Sequence, residues 1–200
     1  AAMKIGELIM LATNLQPFLM GIVVSVLVGA ALTLPISSAA ICAAFGLTGL
    51  AGGAAVAGCC AQMIGFAVMS FKENGWGGLV SQGIGTSMLQ MGNIIKNPRI
   101  WIAPLVTSAI TGPVATCLFK LQMNGTAVSS GMGTCGFVGQ IGVYSGWVND
   151  VAAGTKSAIT MMDWAGLILI SFILPAVICP FINWLLKKAG WVKDGDMKLQ

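Results

Sequence analysis

Residues 163–186 read DWAGLILISFILPAVICPFINWLL, 24 positions with a single charge, Asp163, at the start. At ~1.5 Å per residue, a helix of that length reaches about 36 Å, more than the ~30 Å hydrocarbon core of a bilayer. Trp164 and Trp184 stand near its two ends, at the spacing of two interfacial aromatic belts. A helix satisfies its own backbone in lipid, where water cannot. This stretch predicts a transmembrane span.

The whole chain has the same character. Of 200 residues, 56% are hydrophobic, 27 are Gly and only 8% are charged, against about 25% charged in a soluble domain. The mean hydropathy is +0.89. The fold class is an all-α integral membrane protein, a multi-pass bundle with re-entrant or broken helices. Disorder is excluded by the hydrophobicity. Nucleic-acid binding is excluded because ten scattered Lys and Arg and a net charge of +4 form no basic face. The absence of His removes Ser-His and Cys-His catalysis, His-ligated metals and phosphohistidine. Cys42, Cys59, Cys60, Cys117, Cys135 and Cys179 form no CxxC and read as small packing residues. No cofactor and no metal are expected, and no nucleophile–base pair suggests an enzyme.

Working outward, residues 17–35 (PFLMGIVVSVLVGAALTLP), 48–71 and 100–119 can also span. Gly49, Gly52, Gly53 and Gly58 give the second of these a small surface for close helix contact. Residues 36–47, 79–95 and 135–148 are short, Gly-broken or polar, as re-entrant pieces are. The links 72–78 (with Trp76 as an interface anchor), 120–134 and 149–162 read as loops. Lys187, Lys188, Lys193 and Lys198 place the C-terminus in the cytoplasm. Counting back puts Lys96, Arg99 and the N-terminus inside, and Asp150 and Lys156 outside. Ser37-Ser38 with Cys42 and Phe45 is echoed by Ser129-Ser130 with Cys135 and Phe137, a possible internal repeat. All 200 residues read as one transmembrane domain.

No carboxylate lies deep in an apolar run, so no proton relay is visible. The polar residues inside the apolar segments are neutral. Ser37, Ser38, Gln62, Gln82, Thr86, Ser87, Gln90, Asn93 and Gln140 are the candidate substrate-binding residues. Amides and hydroxyls both donate and accept, which suits a small neutral polar solute. The competing reading of each is interhelical hydrogen bonding. Gln82, Thr86, Gln90 and Asn93 fall at i, i+4, i+8 and i+11 and predict one polar helix face. Asn97-Pro98-Arg99 reads as an N-cap followed by Pro at the first helical position.

Four stretches taken together resemble a family of bacterial membrane proteins: LQPFLMGIVVSVLVGAALTLPISSAAI (15–41), GCCAQMIGFAV (58–68), QGIGTSMLQMGNIIKNPRIWIAP (82–104) and GMGTCGFVGQI (131–141). The family is the phosphotransferase-system enzyme IIC type that includes the perfringolysin O regulator proteins. The resemblance implies an inner-membrane sugar transporter subunit, itself not an enzyme. In such systems the IIC component translocates the sugar, and cytoplasmic IIA and IIB components supply the phosphoryl group. Members carry a preceding hydrophobic half, so the chain is expected to be the C-terminal part of a longer transporter, working as a homo-oligomer, a dimer. Glucose-type IIC proteins place a Glu, often with a His, at the sugar, and this sequence departs from that pattern. Two alternatives stay open: a membrane regulator or sensor without net transport, and a passive channel.

Overall fold

The computed structural model describes residues 16–199. The expectation for the N-terminus lies outside them. Ten α-helical elements follow one another: α1 (Pro17–Thr33), α2 (Ser38–Ala44), α3 (Gly49–Met69), α4 (Phe71–Val80), α5 (Met91–Lys96), α6 (Ile102–Pro113), α7 (Ala127–Ser130), α8 (Val138–Ala152), α9 (Met161–Ile168) and α10 (Leu174–Lys188). Among the described residues there is no strand, only an isolated bridge between Gly49 and Met123. This is an all-α membrane protein. Three helical runs are long and apolar enough to cross a bilayer: Gly49–Met69, Pro98–Leu118 and Met161–Lys188. The 17-residue α1 is a shorter apolar helix, opened by Pro17 and stopped ahead of Pro35, whose ring disfavours a helical residue before it.

Helix α3 is the hub. Its most apolar window is 89% buried, against 33% for Met161–Lys188, which faces outward. Helices α1, α6 and α10 pack around it. The expected small-residue surface makes this possible. A Cβ on Gly58 would fall on the Ser25 carbonyl oxygen of α1, and one on Gly53 would fall on that of Leu121. Backbone meets backbone at these points, so packing rather than hydrophobicity sets the helix spacing.

Three π-turns interrupt the helices, at Ser81–Gly85, Val114–Leu118 and Leu169–Ile173, and all three pack against α3. The last one has a direct cause. Pro175 lies four residues after Ser171, and a proline ring clashes with the carbonyl four residues back. Widening the turn there relieves the clash and keeps α9 and α10 in one 28-residue run.

The structure corrects three expectations. Residues 72–78 are not a loop: α4 runs through them with a kink at Gly75 (φ 58°). The helix there is drawn in by Glu73 and Asn74, whose partners lie more than 120 residues away. Trp76 is exposed and meets Phe71 edge-on. Within 135–148, Cys135–Phe137 form a 3-10 turn and α8 starts only at Val138, continuing to Ala152 into the stretch read as a loop. The predicted polar face from Gln82 to Asn93 is not one helix. The π-turn ends at Gly85, Thr86 is extended (φ −160°), and a new 3-10 turn starts at Ser87.

Candidate functional site

The site lies halfway along α3, between Cys59 and Met63, where broken segments converge on an unbroken helix. From one side comes 120–137. Gly133 (φ +53°) sits against it so closely that a Cβ would stand 2.6 Å from Cys59 Cβ. Thr134 Oγ1 donates to the Gly83 carbonyl at 2.6 Å. From the other side comes 79–96. Its two arms lie side by side, since Gln82 and Gln90 bond to each other. Its turn brings Ser87 against α1.

There a buried cluster of neutral groups forms. Thr33 Oγ1 donates to Gln62 Oε1 at 3.1 Å and stands 2.9 Å from Ser87 Oγ. Trp101 Nε1 donates to the same Gln62 oxygen at 2.8 Å. Gln62 Nε2 donates to Ser108 Oγ at 3.3 Å, and Ser108 Oγ donates to the Pro104 carbonyl at 2.9 Å. Ser25 Oγ donates to the Ser108 carbonyl at 2.7 Å. Thr33, Gln62, Ser87 and Ser108 are all fully buried. The cluster therefore joins α1, α3, α6 and the turn at Ser87 without one ionisable group. A buried network of this kind is stable only when its donors and acceptors are matched.

A vestibule of about 330 Å³ opens beside this cluster, lined by Leu32, Pro35, Ser37, Ser38, Met88 and Met132. Ser37 caps α2 by accepting from the Ala40 N–H at 3.2 Å. Ser38 Oγ donates to the Gly131 carbonyl at 2.7 Å, and Ser130 Oγ donates to the Leu47 carbonyl at 2.6 Å. One serine of each echoed pair thus bonds to the other segment, Ser38 to the residue after Ser130 and Ser130 to Leu47 beyond the end of α2.

The remaining sequence candidates sit apart from the cluster. Gln82, Gln90 and Asn93 form a ladder: Gln90 Nε2 donates to Gln82 Oε1, and Asn93 Nδ2 to Gln90 Oε1, both at 2.8 Å. Gln82 Nε2 ends the ladder on Ser70 Oγ at 2.9 Å. Thr86 caps the 3-10 turn by accepting from the Met88 N–H at 3.2 Å. Gln140, on α8, reaches α3 from another face and donates to Ser171 Oγ at 3.0 Å and to Cys60 Sγ at 3.3 Å. Its Oε1 is buried and has no partner. Cys59 meanwhile points to the Val28 carbonyl, so the adjacent thiols face different neighbours, as the helix dictates. All six cysteines are free, and no three metal-ligating residues cluster among those described. A wider cleft of about 520 Å³ lies at the far ends of α8 and α9. Several of its polar side chains are matched to one another, Lys156 with Asp163 at 2.6 Å and Asn124 with Asp150 at 2.7 Å.

Ser25, Thr33, Trp101 and Ser108 are cluster members absent from the sequence candidates. The available signal was that Ser25 and Thr33 are the only hydroxyls in residues 17–35, eight positions apart, hence roughly on one helix face.

The fold defines a helical membrane protein with several apolar segments. Residues 1–199 match the family model described as "Phosphotransferase system, EIIC", and the chain belongs to that family. It is a bacterial membrane component of the phosphotransferase-system type. No curated protein and no solved structure gives a significant match.

Proposed function

We propose that the chain carries a small neutral polyhydroxylated solute, of the sugar class, across the bacterial cytoplasmic membrane. Separate cytoplasmic IIA and IIB components supply any phosphoryl group. The observation that carries this reading is the buried Thr33–Gln62–Ser87–Ser108 cluster, built only of hydroxyls and amides and set beside the Ser37–Ser38 vestibule. Such groups match vicinal hydroxyls, each of which donates and accepts. A charged solute would need an opposite charge that the cluster lacks.

The orientation proposed has residues 190–199 on the cytoplasmic face. Support comes from the grouping of cations. Lys96 and Lys198 line one pocket, Arg99 lies over Trp191 at 5.4 Å, and Lys187 pairs with Glu73 and Asp194. Lys120 and Lys156 line the opposite cleft with two carboxylates. The excess of Lys and Arg on one end fits the cytoplasmic side.

The test is uptake of labelled neutral sugars and polyols by cells expressing the chain, in parallel with Gln62→Ala and Ser87→Ala. The expected result is saturable uptake of one solute class, lost in both variants while purified protein stays folded. Saturable uptake unchanged in both would remove the cluster from the path, and the absence of uptake of any solute would defeat the reading.

A further inference from the structure

Residues 190–199 leave the last helix and lie back across α4 and α5. Three side-chain contacts hold them, Asn97 Nδ2 donating to Asp196 Oδ2 at 2.8 Å, Lys187 pairing with Asp194 and Arg99 lying over Trp191, but most of the bonds go to main chain. Glu73 accepts from the N–H groups of Gly195 (3.1 Å) and Met197 (2.9 Å). Asn74 uses both ends of its amide: Nδ2 donates to the Met197 carbonyl at 2.8 Å, and Oδ1 accepts from the Leu199 N–H at 2.7 Å. Gln90 Nε2 donates to the Met197 carbonyl at 3.0 Å, and Asn93 Nδ2 to that of Lys198 at 3.1 Å. Asn97 Nδ2 donates to the Trp191 carbonyl at 3.1 Å. An amide that satisfies a C=O and the N–H two residues on does what a neighbouring strand does for an extended peptide. Of the segment's side chains, only Val192 and Met197 are buried.

The segment also keeps its own shape. Asp196 Oδ2 accepts from the Lys193 N–H at 2.8 Å, and the Lys198 N–H reaches the Gly195 carbonyl at 3.2 Å. It can therefore lift as a body once Val192 and Met197 leave the apolar cluster they share with Phe66, Ile94 and Ile100. A pocket of about 400 Å³ is lined on one side by Asn93, Lys96 and Asn97 and on the other by Asp196, Lys198 and Leu199, so groups released along that edge meet water instead of being orphaned.

We propose that residues 191–199 are a detachable latch. Glu73, Asn74, Gln90, Asn93 and Asn97 form a groove for peptide main chain, and the seated latch pins 71–96 to the end of α10. Through the ladder of Gln82, Gln90 and Asn93, that pin holds Ser87 against Thr33. Release of the latch precedes any movement of Ser87 away from the cluster. The consequence for transport rests on the reading above, while detachment does not.

Two measurements on the full chain test this separately. The first is amide hydrogen exchange in the unaltered protein. The N–H groups of Gly195, Met197 and Leu199 should exchange together, at least tenfold faster than those in the middle of α3. Exchange no faster than α3 overturns detachment. The second uses Lys96→Cys with Lys198→Cys in a Cys117→Ser, Cys135→Ser background. Both lysines are exposed, and neither side chain takes part in the groove's hydrogen bonds. A short bismaleimide bridging the two should lower uptake at least tenfold, while a monofunctional maleimide leaves it near that of the unlabelled chain. Equal uptake with and without the bridge overturns the gating role. If the unlabelled chain takes up no solute, the transport reading fails and the exchange result alone decides the latch.

Discussion

The hydroxyls of Thr33 and Ser87 stand 2.9 Å apart, tying the end of α1 to the turn of a segment 54 residues later. Ser87 bonds in this way to a residue that itself bonds to Gln62, so three elements share one chain of donors. Thr33→Val keeps the shape and removes the link, leaving Ser87 and one lone pair of Gln62 without a partner. The expected cost is about 1–3 kcal/mol, read as earlier unfolding of the detergent-solubilised protein. In a double-mutant cycle, Thr33→Val and Ser87→Ala should cost less together than the sum of each alone. Strict additivity would show that the contact contributes nothing.

Gln62 has partners on both sides of its amide, and Trp101 is the partner that can be removed most cleanly. Trp101→Phe deletes one donor and keeps an aromatic ring; it should cost about 1 kcal/mol and leave the solute affinity altered only a few-fold. Gln62→Leu instead orphans Trp101 and takes one partner each from Thr33 and Ser108, and should cost more. Equal destabilisation by the two substitutions would contradict the shared-acceptor geometry.

Glycines in this chain divide by what surrounds them. At Gly58 a methyl group would land on the Ser25 backbone, and at Gly112 on the Gly21 carbonyl. Either Gly→Ala change should destabilise by about 1–3 kcal/mol through helix separation. Gly92 in α5 has open space around it, and Gly92→Ala should be neutral or stabilising by up to ~1 kcal/mol. Thermal unfolding of the three variants, each against the parent, gives the comparison.

Four of the six thiols are buried, Cys117 is exposed and Cys135 is intermediate. A membrane-permeant maleimide should therefore modify at most two cysteines in the native protein and all six after denaturation, counted by intact mass. Labelling of Cys59 or Cys60 under native conditions would mean that the Gly133 contact opens.

Helices were legible because helix length and hydropathy are local properties: 17–35, 48–71 and 163–186 read as helical, and α1, α3 and the Met161–Lys188 run lie there. One cap was equally legible, since Asn97 acts on a residue two positions away. The helix through 72–78 was not. Its sequence, KENGWGG, has poor intrinsic helicity, and the groups that fix it arrive from residues 195–199. The stripe from Gln82 to Asn93 failed for a related reason. Gly83 and Gly85 weaken the helix, the turn widens, and the shift in register places Ser87, not Thr86, at the cluster. Of the site, the amides were visible as polar residues in apolar runs, but which would meet was not, because Thr33, Gln62 and Trp101 come together only across long chain separations.

The π-turn at Leu169–Ile173 inserts one surplus residue into a 28-residue rod. A surplus residue rotates everything after it by about 100° of helical phase. The rod therefore addresses two audiences: before the insertion Trp164 meets Tyr144 and Trp147 of α8, and after it Cys179 turns to Gly65 and Met69 of α3. A single-residue deletion in this turn would restore even winding while swinging Cys179 out of α3 and towards lipid. In this helix the spacing error is the information that lets one continuous rod keep two different neighbours.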